Sequence, residues 1–267
     1  MTKEEKRKRN QIIVEEYKNT PNHLKNLTKL GKRYGIKTKS TVSKILKEAN
    51  IDVYNTSHHT CVDETCFDKI DTEEKAYWLG FMYADGCIYT NEYRLELSLQ
   101  GKDIEHLYKF SKFLCATKNI VKFYKNYQKN RDRCRVSIRS KHLWDGLNFN
   151  GCVPKKTFKL VFPSDKILPK ELVRHFIRGY IDGDGCLCIT HPEKIELSLV
   201  GTKDFLQGVV KNMPLKKPYP IYKRENIYVL NFWCGTAKSL IKYLYENSTI
   251  YLTRKYEIYE KICRLDM

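Results

Sequence analysis

The stretch Trp78-Leu79-Gly80-Phe81-Met82-Tyr83-Ala84-Asp85-Gly86 returns as Ile177-Arg178-Gly179-Tyr180-Ile181-Asp182-Gly183-Asp184-Gly185, and this pair sets the organisation of the chain. In each copy small residues stand four apart, Gly80 with Ala84 and Gly179 with Gly183. A helix through them shows one smooth stripe on which another backbone can approach closely, so two copies imply two helices packed on each other. Each helix is expected to stop with a glycine, Gly86 or Gly185, in the left-handed position after its end. An aspartate precedes that stop both times. A carboxylate there meets the negative end of the helix dipole and costs a few tenths to about 1 kcal/mol. Its repetition at matched positions points to a bound cation, with a divalent metal as first candidate; the alternative is an ordinary turn aspartate before glycine.

The repeat extends well beyond the motif. Glu96-Leu97-Ser98-Leu99-Gln100-Gly101-Lys102-Asp103 recurs as Glu196-Leu197-Ser198-Leu199-Val200-Gly201-Thr202-Lys203-Asp204. Lys156 lies 71 residues past Asp85, and Lys255 lies 71 past Asp184. The chain therefore contains two aligned halves. After each motif the hydrophobic period changes from helical to alternating, as in residues 94–100, where Leu95, Leu97 and Leu99 take one side. A helix over 103–114 and strands at 120–127 and 133–139 follow. The second half reads as strands at 186–190 and 194–200, a helix at 204–212, strands at 221–224 and 227–233, and helices at 236–245 and 254–264. The fold class is α+β: two pseudo-symmetric αββαββα halves around a central helix pair, preceded by a small all-α, helix-turn-helix-like unit. The expected divisions are 1–58 for that unit, 59–71 for an acidic linker, 72–165 and 166–267 for the halves.

The chain has 267 residues, 42% of them hydrophobic, and forty-nine Lys plus Arg against thirty-one Asp plus Glu, a net charge of +18. A surface of that sign attracts polyphosphate, although charge alone also fits a basic protein with no such partner. Residues 1–60 hold fourteen Lys or Arg against six Asp or Glu, a net of +8. Within them, 5–18 reads as a helix with Ile12, Ile13 and Tyr17 on one side. A second helix spans 22–34 through Leu24, Leu27 and Leu30, Gly35 breaks the pattern, and a third starts at Ser40 or Thr41 with Val42, Ile45 and Leu46 inward. That order fits a helix-turn-helix in which Lys37, Lys39, Ser40, Thr41, Ser43, Lys44 and Lys47 meet DNA. A plain three-helix bundle with a solvated basic face is the competing reading. From 61 to 75 the charge turns acidic, and Asp71 with Glu74 is the expected cap of the first motif helix.

No window of about 18 apolar residues exists, and the first residues, Met-Thr-Lys-Glu-Glu-Lys-Arg-Lys-Arg, have no apolar run. The expectation is a soluble intracellular protein, not secreted, in a compartment that contains DNA. The ten cysteines are scattered, and Cys87, Cys186 and Cys188 read as buried, reduced thiols outside any disulfide. His58, His59, Cys61 and Cys66 lie close together, but one Cys-x4-Cys without a second pair is a weak zinc signal.

In residues 133–139, Cys134, Val136 and Ile138 face the core, which leaves Arg133, Arg135, Ser137 and Arg139 on the other side with Arg94, Lys122, Tyr124 and Asn126 as neighbours. Arginines on alternate positions repel one another unless an anion lies among them, so this face is expected to read a DNA groove. The matching face of the second half, with Tyr222, Arg224 and Asn231, is less basic, which implies an asymmetric target. No nucleophile elbow, phosphate-binding loop or complete calcium loop is present. Metal-dependent phosphodiester hydrolysis remains, with Asp85 and Asp184 as metal ligands. Lys156 and Lys255 are candidates for stabilising charge on the scissile phosphates, Lys102 and Lys203 being the next choice.

At residues 78–86 and 177–185 the chain resembles the LAGLIDADG homing endonucleases, whose nine-residue motif ends in Ala-Asp-Gly or Gly-Asp-Gly and packs as paired helices. Tyr83 stands where the family has its first Asp, whereas Asp182 keeps it; the Asp the family uses for metal is the later one, here Asp85 and Asp184. The resemblance covers roughly residues 72–264. It implies a monomeric DNA endonuclease that uses Mg2+ (or Mn2+) and cuts a long asymmetric site to leave a short 3′ overhang. Two other functions fit the same residues: an intron maturase that binds intron RNA, and a DNA-binding regulator that does not cleave.

Overall fold

The computed structural model describes residues 2–20, 26–51, 62–126, 132–191 and 194–265. His58, His59 and Cys61, and part of the second expected helix with Leu24, lie outside them. Two compact units are present, one of residues 1–64 with 115–118, the other of 65–114 with 119–267.

The small unit contains α1 (Lys3–Asn19), α2 (Leu27–Arg33) and α3 (Lys39–Glu48). Ile13, Tyr17, Leu27, Leu30, Ile36, Val42, Ile45 and Leu46 form its core. Ile12 points outward, 53% exposed, because its neighbour Ile13 takes the inner position on α1. α1 starts with a capping box, Thr2 accepting from the Glu5 amide and the Glu5 carboxylate accepting from the Thr2 amide.

The larger unit runs α4 (Glu73–Ala84), β1 (Gly86–Tyr89), β2 (Arg94–Gln100), α5 (Ile104–Phe113), β3 (Val121–Tyr124), β4 (Arg133–Arg139) and α6 (Lys141–Phe149). The order then repeats as α7 (Val173–Asp184), β5 (Cys186–His191), β6 (Lys194–Gly201), α8 (Lys203–Asn212), β7 (Ile221–Arg224), β8 (Ile227–Trp233), α9 (Cys234–Tyr245) and α10 (Thr253–Arg264). Each half holds one antiparallel sheet, ordered β1-β2-β4-β3 and β5-β6-β8-β7.

α4 and α7 pack on each other through their glycines. A Cβ on Gly80 would overlap the Phe176 carbonyl, and one on Gly179 the Tyr77 carbonyl, so backbone lies on backbone. Residues 76–84 are all buried, as a helix enclosed on every side requires. Thr72, rather than Asp71, caps α4: its side chain accepts from the Lys75 amide, while Asp71 pairs with the Lys75 ammonium at 2.8 Å. Gly86 and Gly185 are not left-handed stops. Gly185 is extended (φ −79°, ψ 157°) and Gly86 already belongs to β1. Glycine is needed there for space, since a Cβ would come within 2.6 Å of the Met82 carbonyl or 2.7 Å of the Ile181 carbonyl. The expected acidic linker is packed into the larger unit from Thr65 onward, where Cys66, Phe67 and Ile70 are buried and Asn150 donates to the Phe67 carbonyl at 2.6 Å. Cys87 and Cys186 are exposed, because the pleat turns Ile88 and Leu187 inward instead.

Buried polar groups tie the halves together. Asp182, fully enclosed, accepts from the Tyr77 hydroxyl (2.7 Å), the Tyr245 hydroxyl (2.5 Å) and the Leu252 amide (2.7 Å). Burial pushes its carboxyl up, and these donors with Lys255 act against that push. Because Tyr77 donates to Asp182, its oxygen accepts from His106 Nε2–H at 3.0 Å. At the other end of the helix pair, buried Arg178 donates to Glu73 (2.7 Å), to the carbonyls of Leu244 and Ile250, and to His175. Tyr83 donates to the Asn150 carbonyl at 2.7 Å, a bond within its own half, so Tyr83 and Asp182 perform different tasks at matched positions.

Burial lowers His106 to about 3, with the Lys109 and Arg254 charges adding to the effect. His175 falls to about 4, through burial and then Arg178, with Glu73 pulling the other way. Both stay neutral where an unfolded histidine, near 6.5, takes up a proton. At these two sites the unfolded state therefore binds more protons between about pH 6.5 and 4, and their contribution to stability drops as pH falls through that window, on the order of 2 kcal/mol per histidine by pH 5. Carboxyls that burial raises, Asp85 among them, act the other way over the same range, so the test is a comparison: the urea-unfolding midpoint of the wild type should fall relative to that of His106→Gln from pH 7 to 4, and a constant difference between the two would contradict the neutral assignment of His106.

Candidate active site and groove face

Asp85 and Asp184 sit at the adjoining ends of α4 and α7. Asp85 caps α4, its amide donating to the Phe81 carbonyl at 3.0 Å, and Asp184 is the last residue of α7. The helices are so close here that a Cβ on Gly183 would stand 3.3 Å from Asp85 Oδ2. Burial pushes the Asp85 carboxyl up to about 6, the Asp184 charge adds to this, and Lys156, Lys255 and Arg254 oppose it. Asp184 has a solvent-exposed face, yet the protein packed around its base still raises its carboxyl, against Lys156 and Lys255.

Lys156 and Lys255 reach the same helix ends from matching places. Lys156, opening a short 3-10 turn after α6, donates to the Ala84 carbonyl at 2.6 Å. Lys255, on α10, donates to the carbonyls of Ile181, Asp182 (3.0 Å) and Gly185 (2.6 Å). Part of the positive charge that the helix ends demand thus comes from these two ammonium groups. They are not equivalent. All three Lys255 protons are engaged, and burial lowers this lysine to about 8, whereas among the described residues Lys156 makes one hydrogen bond and keeps two donors. Lys102 and Lys203 stay on the surface. A cleft of roughly 310 Å³ opens beside Asp85, lined by Ser98, Gln100, Asp103, Arg133 and Arg254 among others. Arg254 crosses from the second half to Asp103 at 3.2 Å. The recurrence of a basic pair, Lys155-Lys156 and Arg254-Lys255, was the available signal for it; nothing local marks Ser98 or Gln100.

Two carboxylates without a third protein ligand suit a hard cation that keeps water and shares phosphate oxygens, and do not suit a closed zinc centre. Among the described residues no group of three or more His, Cys, Asp or Glu could hold a metal ion.

On the first sheet the register puts Arg94 opposite Arg139, Ser98 opposite Arg135, Gln100 opposite Arg133 and Lys122 opposite Arg135, so all five basic side chains share the outer face. The anion expected among them is already supplied by the protein. Glu96 accepts from Arg94 (2.6 Å) and Arg135 (3.2 Å), and Glu92 accepts from Arg139 (2.6 Å) and lies 3.2 Å from Arg94. Repulsion among the arginines therefore does not by itself require DNA. On the second sheet Tyr222, Arg224 and Asn231 share the outer face with Trp233. In the small unit, Lys37, Ser40, Thr41, Lys44 and Lys47 are exposed, and Lys39 and Ser43 half-buried, around α3.

No protein-family model matches the sequence, and no curated protein matches it either. Among solved structures, the chain is similar to the homing endonuclease I-WcaI bound to its DNA recognition sequence, at 12% identity over 71% of this chain and 87% of that one, TM-score 0.50. It is also similar to the LAGLIDADG meganuclease I-AabMI bound to uncleaved DNA (12% identity, 71% and 88%, TM-score 0.45) and to full-length DUF199/WhiA from Thermatoga maritima (17% identity, 76% and 65%, TM-score 0.45). At such identities the likeness is one of fold. The chain has a LAGLIDADG-like, two-lobed α+β fold. No helix among the described residues is long and apolar enough to cross a membrane.

Replacing Lys255 by Met leaves three carbonyls at one helix end without their donor, and should destabilise the protein by about 3 kcal/mol, against about 1 kcal/mol for Lys156→Met. Chemical denaturation measures both; equal losses would refute the division of roles.

Proposed function

We propose that the chain is a site-specific, divalent-metal-dependent endonuclease that hydrolyses both strands of a long, asymmetric DNA site as a monomer. One observation carries this reading: two aspartates from a repeated motif meet at the ends of one helix pair, each directly ahead of the first strand of a sheet whose outer face carries long donors. The homing endonuclease of similar fold is bound to its DNA recognition sequence, which is a precedent for this use of the architecture.

Asp85 and Asp184 would hold Mg2+ or Mn2+. The ion supplies Lewis acidity and a water of lowered pKa. Asp85, pushed up to about 6 by burial and by Asp184, is held ready to gain from a cation. Lys156, with two donors left, is placed to stabilise charge on a phosphate, whereas Lys255 fixes the end of α7 and acts as a positioning residue. Arg254 and Arg133 line the cleft beside Asp85 and would hold the strand there. Arg94, Lys122, Arg135 and Arg139 would read one half-site, and Arg224 and Asn231 the other. Lys39, Ser43 and Lys44 of the small unit would add contacts outside the core site.

Asp85→Asn and Asp184→Asn should each lower double-strand cleavage by at least a hundredfold and leave DNA affinity nearly unchanged, since a hydrogen-bonding side chain of the same size remains. Cleavage of a selected duplex with Mg2+, read on a gel beside a binding titration, tests this. Wild-type rates in either variant would remove these residues from the site. Binding without cleavage by the unaltered chain would favour the regulator over the nuclease.

A further inference from the structure

Arg135, Glu96, Arg94, Glu92 and Arg139 form one unbroken chain of alternating charge across the outer face of the first sheet. Register makes it possible, because β2 sets Glu96 diagonally between Arg94 on its own strand and Arg135 on β4. The chain is held from the side by rings: Arg94 lies over Tyr89 at 4.0 Å and Arg135 over Tyr124 at 4.8 Å. Glu96 is the most enclosed member, its side chain 14% exposed, and each of its oxygens accepts from a different arginine. Glu92 accepts two bonds from Arg139, which hold its carboxyl below the ordinary glutamate range. The five groups sum to a single positive charge. Glu196, at the matching position of the second half, makes no ion pair among the described residues, so this arrangement is a property of one half.

An arginine has five N–H donors, and every arginine in this chain keeps at least one terminal nitrogen outside the carboxylate contacts. Free arginines on such a face would bind any phosphate, and phosphate contacts carry no sequence information. Carboxylates beside them repel phosphate and fix each planar fork in one orientation, while the remaining N–H groups can still meet the O6 and N7 acceptors of guanine. We infer that Glu96 and Glu92 are specificity-determining residues, which hold the arginines of this half for base edges and weaken their grip on the DNA backbone. This rests on the groove reading of the preceding subsection. Glu96 itself is not a base reader, since both its oxygens are occupied by arginine.

The test uses the full chain in EDTA, duplexes selected by the wild type from a randomised pool, and a scrambled duplex of equal length, each titrated across NaCl concentrations. For Glu96→Gln, affinity for the scrambled duplex should rise several-fold and its salt slope steepen by about one. The preference for the selected duplex should fall about tenfold, with guanine tolerance relaxing in one half-site only. Glu92→Gln should move every quantity the same way, and Glu96→Asp should restore part of the preference. If Glu96→Gln keeps the wild-type slope and preference, or loses preference without gaining non-specific affinity, the inference is overturned while the groove reading stands. A wild-type chain that enriches no sequence from the pool overturns both.

Discussion

The larger unit depends on one contact, the backbone of α4 laid against the backbone of α7 where neither Gly80 nor Gly179 has a side chain. Helices that meet this closely bring their ends together, so two aspartates 99 positions apart in the chain share one site. The same closeness forbids water and large side chains between the helices. Residues 76–84 are consequently buried all round, the tether His106–Tyr77–Asp182–Tyr245 between the halves is buried too, and in Glu73–Arg178 the arginine is buried and the glutamate half-buried. Breaking one such tether leaves a desolvated charge or donor behind, which makes the pairing of the halves specific as well as tight.

The electrostatics of the helix ends follow from that geometry. A carboxylate beside the negative end of a dipole, next to a second carboxylate, is unfavourable, and Lys156 and Lys255 offset part of it by donating to the terminal carbonyls. Pseudo-symmetry is not carried through to function. Among the described residues three bonds fix Lys255 and one holds Lys156, Asp182 is a structural anchor where Tyr83 is its counterpart, and one sheet face carries an arginine–glutamate chain that the other lacks.

Much of this was legible in the sequence because it is local or repeated. The motif helices, the alternation of residues 94–100 and 133–139, and the equal offsets of Lys156 and Lys255 are patterns over a few residues or copies of each other. What was not legible depends on register or on distant packing. Glu96 meets Arg135 across thirty-nine residues, and only the β2–β4 pairing decides that the arginines carry their own counterions. Phe67 and Ile70 are apolar residues inside an acidic run, and the composition of the run hid their burial in the larger unit. For Gly86 and Gly185 the local rule assigned a left-handed turn, while the real constraint is the nearness of the Met82 and Ile181 carbonyls.

The pairing of Asp85 with Asp184 as a cation site is tested most directly by crystals of the chain with a selected DNA duplex and Mn2+, measured for anomalous scattering. Peaks touching both carboxylates and a backbone phosphate of each strand are the predicted result. Manganese density confined to other acidic residues, with Asp85 and Asp184 contacting neither metal nor phosphate, would contradict it.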